Sequence, residues 1–542
     1  MRLAKTLRSN LRFLLVEAGS QLQLLQKYTA EEDASLIQRA LERRGYAYNL
    51  NLRIQNSCMD AMSESQAGDA VIVRTVGVIA AELANITELS RESMQQFGDL
   101  RDGHRLDLTL YQPALRQVCK SMGLIEGALL GSDTRMALKI GHGEHRLNRI
   151  CQKLLRNFTT RLKRKKHTEE LVAGLFVARS LSQMGNALLH ISEAIISNNI
   201  GQPMDMQRYN AMQDAVTAWK GEDVMENMDI QPLAETRSGS GISSIQEIDS
   251  DQPQVIYKSG DKRKLKEELQ GVETWHAVYP GIAPQVLAYN KRSDGASLLI
   301  EHLNGITLEQ VVLHEPIHTM HDAIQALGKT VTSVWNTSRT TRMVSAGFVR
   351  QTRKRLADVY AVHPSFRQAK AQICAHDLPT FESLLVAAEK IEKKLPQPES
   401  VLIHGDFNVD NILYEPESKS IRFIDLHRST YMDYVQDVSV FMVSNYRLQV
   451  FETSIRRRIR KQVCDFYAIA RTYAEKNEDR AFEIRLALGL ARSFATSTRF
   501  ILDQSMAQRM FLRAHYLLAQ VARCDLNKPQ RYRLPIKEIF SD

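Results

Sequence analysis

"VLIHGDFNVDNILY" (401–414), followed six residues later by "SIRFIDLHRST" (420–430), decides how the second half of the chain is read. Val401, Leu402 and Ile403 lead into Gly405, and Ile412 and Leu413 resume the apolar run. The pattern predicts strand, polar turn, strand, in the form of a hairpin. A hairpin tip serving only the core has no use for His404, Asp406, Asn408, Asp410 and Asn411 together. A site does. The second stretch adds another apolar strand, ending in Asp425.

Phosphoryl transfer to a hydroxyl needs a carboxylate near the acceptor oxygen and a cation beside the transferring group. Asp406 follows a glycine on a turn, where it can meet such a hydroxyl. Asn411 offers an amide oxygen, and Asp425 a carboxylate, to one Mg2+, an ion that takes a few protein oxygens plus phosphate and water. Upstream, "RSGSGISS" (237–244) places Gly239 and Gly241 where backbone amides can approach a phosphate, with Ser238, Ser240 and Ser243 as hydroxyl donors. The same residues would also make a flexible hairpin tip. Lys258, closing "PQVIYKSG" (253–260), reads as a point charge for nucleotide phosphates or as an exposed strand-end lysine. Glu273, expected to head a short helix, is the first choice to pair with Lys258, and Glu268 the second. In "SLLIEHLNGITLEQVV" (297–312), Glu301, His302 and Leu303 would form a hinge whose backbone contacts a base.

"HGDFNVDN" with "FID" resembles the HGDxxxxN and IDxxxxxxGDPxxD signatures of the aminoglycoside phosphotransferase and choline kinase-like family. The resemblance covers roughly 233–525. It implies that His404 and Gly405 shape the catalytic loop, that Asp406 is the catalytic base, and that Asn411 and Asp425 hold Mg2+. It also implies that Asp433 and Asp437, eight and twelve residues after Asp425, anchor the loop and the following helix. The family's GDP is here Met432, Asp433, Tyr434, and its frequent acid two after the metal aspartate is His427. His427 and Arg428 read either as acceptor-side residues for an anionic substrate or as surface residues. A strongly acidic acceptor pocket is not evident, since the C-terminal helices carry "SIRRRIRKQ" (454–462) and "RSFATSTRF" (492–500).

Residues 1 to about 200 are poor in Pro and Gly and rich in 3.6-residue periodicity, as in "VIVRTVGVIAAELANITELSRESM" (71–94). About six helices are expected, with breaks near 27–33, 65–70, 97–104 and 129–134. "ELANITELSRES" (82–93) and "SLSQMGNALLHISEAI" (180–195) look alike, which suggests two three-helix repeats. This half resembles the phosphate-uptake regulator (PhoU-like) family and its "LERIGDHAxNIAE" helices. The family's metal-facing Glu and Asp correspond to Ser182 and Asn186 in the second repeat and to Ala84 and Glu88 in the first. With one acid of four, loss of that metal cluster is expected, leaving a scaffold or dimerisation module.

The chain has 542 residues, 44% hydrophobic and 25% charged, and no run of 18 apolar residues. No membrane span is expected. Six scattered cysteines without a CxxC pair suit a reducing cytoplasm. The net charge of +9 is concentrated in "RLKRKKH" (161–167) and "IRRRIRK" (455–461), which read as solvated helix faces. Neither has the interleaved aromatics of a nucleic-acid platform, so a nucleic-acid partner is not expected.

The expected architecture is multidomain: an all-α PhoU-like bundle (1–202), a helical connector (203–232), and an α+β bilobal protein-kinase-like fold. That fold has a small antiparallel nucleotide-binding lobe (233–303) and a helical catalytic lobe (304–542). The expected activity is ATP- and Mg2+-dependent transfer to a hydroxyl of a small acceptor, with a homodimer or protein partner formed through the helical domain. The alternative is a phosphate-signalling scaffold whose kinase-like domain binds nucleotide but turns over little.

Overall fold

The computed structural model describes residues 5–64, 67–100, 103–201, 204–220, 228–235, 241–247, 255–291, 295–367, 371–373 and 376–541. The chain forms two compact units, Met1–Ser259 and Gly260–Asp542.

In the first unit, α1 (Lys5–Glu31), α2 (Ala34–Glu42), α3 (Tyr46–Glu64) and α4 (Ala67–Gly98) precede α5 (Gln112–Met122), α6 (Ile125–Leu130), α7 (Thr134–Leu162) and α8 (Thr168–Ile200). The described residues up to 200 thus hold eight helices rather than six. The additions, α2 and α6, are too short to register in a periodicity window of 11–18 residues. Leu7, Leu11, Leu14, Ala18, Leu22 and Leu25 recur at helical spacing and are all buried, so α1 turns one stripe inward. The similar segments 82–93 and 180–195 lie on α4 and α8, which pack against each other.

By length and composition alone, Ala70–Gly98 of α4 could cross a membrane. Val73, Val76, Ile79, Ala80, Leu83 and Ile86 are instead buried among neighbouring helices, as in the core helix of a bundle. The basic run 161–167 is not a helix face: it ends α7 and turns into α8, with Lys165 and His167 at positive φ. After α9 (Met206–Lys220), β1 (Met228–Glu235), β2 (Gly241–Glu247) and β3 (Val255–Gly260) pair antiparallel in sequence order.

The second unit opens with α10 (Lys262–Val278), capped by Asp261, and the antiparallel hairpin β4 (Val286–Lys291) and β5 (Ala296–Glu301). A mainly helical region follows: β6 (Ile306–Thr307), α11 (Leu308–His314), α12 (Ile317–Thr337), α13 (Phe348–Val362), the pair β7 (Ala371–Ile373) and β8 (His376–Leu378), and α14 (Phe381–Glu392). Then come β9 (Val401–Ile403), β10 (Ile412–Glu415), β11 (Ser420–Phe423) and β12 (Thr430–Met432). The chain closes with α15 (Val435–Tyr446), α16 (Thr453–Lys476), α17 (Phe482–Ser497), α18 (Gln504–Ala522) and α19 (Ile536–Ile539).

The expected hairpin at 401–414 is absent: β9 pairs with β12, whereas β10 pairs with β11 and β6. The polar turn therefore bridges two small sheets, and each sheet brings a second segment to it. One core runs from Val272 to Phe540. At its centre every residue of α17 from Phe482 to Thr496 is buried, including Arg485 and Arg492. The chain is multidomain, an all-α bundle followed by a mixed α+β part.

Candidate active site

The loop between β9 and β10 is built by backbone demands before any chemistry. Gly405 has φ 81°, and a Cβ there would stand 2.2 Å from the Arg428 carbonyl oxygen, so glycine is required twice over. Both carboxylate oxygens of Asp437, in the first turn of α15, accept backbone N–H groups: His404 N at 2.7 Å and Gly405 N at 2.9 Å. Phe407 turns inward, edge-on to Phe423 at 5.3 Å, and pins the loop to β11.

His404 is fully buried. Its Nε2–H donates to the Ile424 carbonyl at 2.9 Å, and its Nδ1 accepts from the Asp406 amide at 3.3 Å. Burial holds its pKa below the usual imidazole range, so it stays neutral. It is a strut that ties the loop to the end of β11.

Asn411 closes the same turn. Its Nδ2 donates to the Asp406 carbonyl at 2.9 Å, and its own carbonyl accepts from Ile424 N at 3.1 Å. The amide nitrogen is thereby committed, leaving Oδ1 as the atom for a cation. Through Ile424 the loop is joined to Asp425, the next residue, which holds a positive φ of 61°. Such a backbone is rare outside glycine and clusters at functional sites. Asp425 Oδ1 is 2.7 Å from His427 Nδ1.

Asp406 itself is engaged at both oxygens. Oδ1 accepts from Asn408 Nδ2 at 2.8 Å, and Oδ2 from the Arg428 guanidinium at 2.8 Å. Arg447 in turn donates to Asn408 Oδ1 at 3.2 Å. Asp410, in the same loop, is raised by the surrounding protein and by the charges of Asp406 and Asp425. No group of three or more His, Cys, Asp or Glu side chains suited to a metal occurs among the described residues. The Asn411 amide and Asp425 carboxylate oxygens are hard donors of the kind Mg2+ takes alongside water and phosphate oxygens.

Asp433 is fully buried against Arg485, which donates from Nε to Oδ2 at 2.7 Å and also clasps Asp479. Asp433 Oδ1 caps Val435 N at 3.0 Å. It stands inside the core, so its part is to hold the start of α15.

The nucleotide-side expectations fare unevenly. Gly239 and Ser240 lie outside the described residues, and Gly241 opens β2. Lys258 is buried on β3. Glu273 does not head a short helix: it lies late in α10 and faces solvent, whereas Glu268 is only 5% exposed. Of the two acids named for α10, Glu268 is therefore the buried one and Glu273 the solvent-facing one. Glu301 ends β5, its carboxylate accepting from Gln285 N at 3.0 Å, and Leu303 follows in the link to β6. Sequence reasoning gave no role to Asn408, whose amide holds Asp406. A polar residue two positions after an acid on a glycine turn was the available signal.

The fold is thus an all-α bundle followed in the chain by an α+β part that carries this loop. Residues 268–476 match the phosphotransferase enzyme family, APH. Among solved structures, the chain is similar to PhoU from Pseudomonas aeruginosa (18% identity, covering 36% of this chain and 97% of that one, TM-score 0.35). It is also similar to a thermostable mutant of aminoglycoside phosphotransferase APH(4)-Ia (13%, 57% and 98%, TM-score 0.37). A third is aminoglycoside phosphotransferase APH(3'')-Id from Streptomyces rimosus (18%, 57% and 98%, TM-score 0.33). No curated protein matches.

Proposed function

We propose that the chain transfers the γ-phosphoryl group of ATP to a hydroxyl of a small-molecule acceptor. The observation that carries this reading is the tie through Ile424. His404 and Asn411 both bond its backbone, which joins the Asp406 loop to the strand end bearing Asp425. In the proposed reaction Asp406 accepts the hydroxyl proton, the acceptor oxygen bonds to the γ-phosphorus, and ADP departs with the electrons of the broken P–O bond. Asn411 Oδ1 and Asp425 would hold Mg2+, which offsets the charge on the transferring group. Lys258 is proposed as the phosphate grip, Glu268 as the acid of α10, and Gly239, Ser240 and Gly241 as phosphate-loop residues. Glu301 and Leu303 would be the hinge.

The proposed domains are 1–202, 203–232, 233–303 and 304–542. The helical part is proposed to serve as a dimerisation or partner module. A reducing cytoplasm is the proposed setting, supported by free Cys58, Cys119, Cys151, Cys464 and Cys524. The test is ADP release by the purified full chain with and without Mg2+. Asp406→Asn should lower it about a hundred- to ten-thousand-fold with the melting temperature kept. Full activity in that variant would defeat the assignment.

A second reading, a regulatory protein of low turnover, draws support from one feature. Both oxygens of Asp406 are already occupied, by Asn408 and Arg428. Nucleotide binding without ADP release across acceptors would favour it.

A further inference from the structure

Two arginines on the same face of α17, seven residues apart, have very different surroundings. Arg485 is matched in full: Asp433 and Asp479 take its N–H groups, and Tyr434 bonds Asp479 at 2.7 Å. Arg492 is also buried, at 8% exposure, but its Nε and Nη2 have no partner. The Phe348 ring of α13 lies 5.7 Å from its guanidinium carbon. Buried donors are almost always satisfied, and an unmatched buried cation is costly.

The region around Arg492 is rich in cations. Arg355 lies seven residues beyond Phe348, on the same face of α13, which packs on α17 and on the turn that follows it. Arg499, in that turn, also has a buried nitrogen, Nη1, without a partner. Arg428 reaches in from the other side to Asp406. Burial, and after it the charge of Arg355, push Arg492 down to about 9, and Arg355 is lowered by burial and by Arg499 and Arg428. Three carboxylates, Asp406, Asp437 and Asp358, act on the cluster, fewer than its four guanidinium groups. Asp437 is spent on the amides of His404 and Gly405, Asp406 on Asn408 and Arg428, and Asp358 is exposed.

We infer that the acceptor carries an anionic group, a phosphate or carboxylate, near its reactive hydroxyl, and that Arg355, Arg428, Arg492 and Arg499 bind it. The inference rests on the phosphotransferase reading and names the substrate class of the same site. It also gives the Arg428–Asp406 pair a purpose. An arriving anion competes for the Arg428 guanidinium, frees Asp406 Oδ2, and thereby exposes the base only when an acceptor is present. A cationic acceptor would meet repulsion at the same place.

The test uses the full chain in two arms. Calorimetric titration with inorganic phosphate should show saturable binding, weakened at least tenfold in Arg355→Gln and in Arg499→Gln. These residues are partly exposed and can be changed without opening the core. Titration of the same samples with Mg2+ and a non-hydrolysable ATP analogue should be unchanged. The second arm compares ADP release with glycerol, glycerol 3-phosphate and a cationic aminoglycoside. Glycerol 3-phosphate should be preferred, with its KM raised at least tenfold by either substitution and with phosphate competing against it. Absence of saturable phosphate binding, binding that ignores both substitutions, competition against nucleotide alone, or preference for the neutral or cationic compound would each overturn the inference. Loss of nucleotide binding in the wild type would instead sink the phosphotransferase reading, which separates the two failures.

Discussion

Gly405 shows how one residue carries a site without touching substrate. Its positive φ excludes most side chains, and the Arg428 carbonyl occupies the space a Cβ would need. Backbone cannot swing aside as a flexible side chain would. Gly405→Ala should therefore cost at least about 2 kcal/mol in a urea melt, strain and overlap together, and should abolish ADP release. A midpoint equal to the wild type's would show that the turn relaxes freely. This glycine was legible from its place between an apolar strand and Asp406. The partner that makes it obligatory was not, because Arg428 lies 23 residues on and reaches the loop only through the pairing of β9 with β12. Glu268 and Glu273 teach the same lesson: which of the two acids is buried depends on the rotation of α10, which the late start read for that helix concealed.

The element that fixes the loop is the first turn of α15. Asp437 spends both oxygens on two loop amides in a buried place, and burial raises its carboxyl to about 7. An unfolded aspartate titrates near about 3.9. The folded chain therefore binds more protons than the unfolded one between about pH 4 and 7. This group's contribution to stability is greatest at the acid end and is lost as pH rises through that window, by at most about 1.4 kcal/mol per unit. Asp437→Asn removes the titration but also leaves one of the two amides without an acceptor. The variant should be less stable than the wild type at pH 5, with a deficit that shrinks toward pH 7. A deficit constant over that range, measured by denaturant unfolding at each pH, would take the titration away from Asp437. The strands β9, β10 and β11 followed from the apolar runs, and the helix after Asp433 from the resemblance, while β12 was not read. The exchange of partners between β9 and β10 did not follow, since strand pairing is a long-range property that an eight-residue polar loop leaves open.

At the scale of the whole molecule, each of the two units has its own set of buried apolar residues. The core that begins at Val272 and ends at Phe540 is built around α17, whose Arg485 is gripped by Asp433 and Asp479 with almost no exposure. Composition and texture made the division into a helical part and a mixed part legible. A buried arginine between two acids 52 and 6 residues distant was not, because nothing in the sequence ties Arg485 or Asp479 to Asp433. Removing one partner of such a network leaves its acids buried and unpaired, at a cost of about 3–5 kcal/mol. Arg485→Met should accordingly lower the unfolding transition of the second unit by that amount. The helical unit's transition, followed separately by far-ultraviolet circular dichroism and calorimetry, should stay in place. If both transitions fell together, the two units would share one cooperative unfolding step.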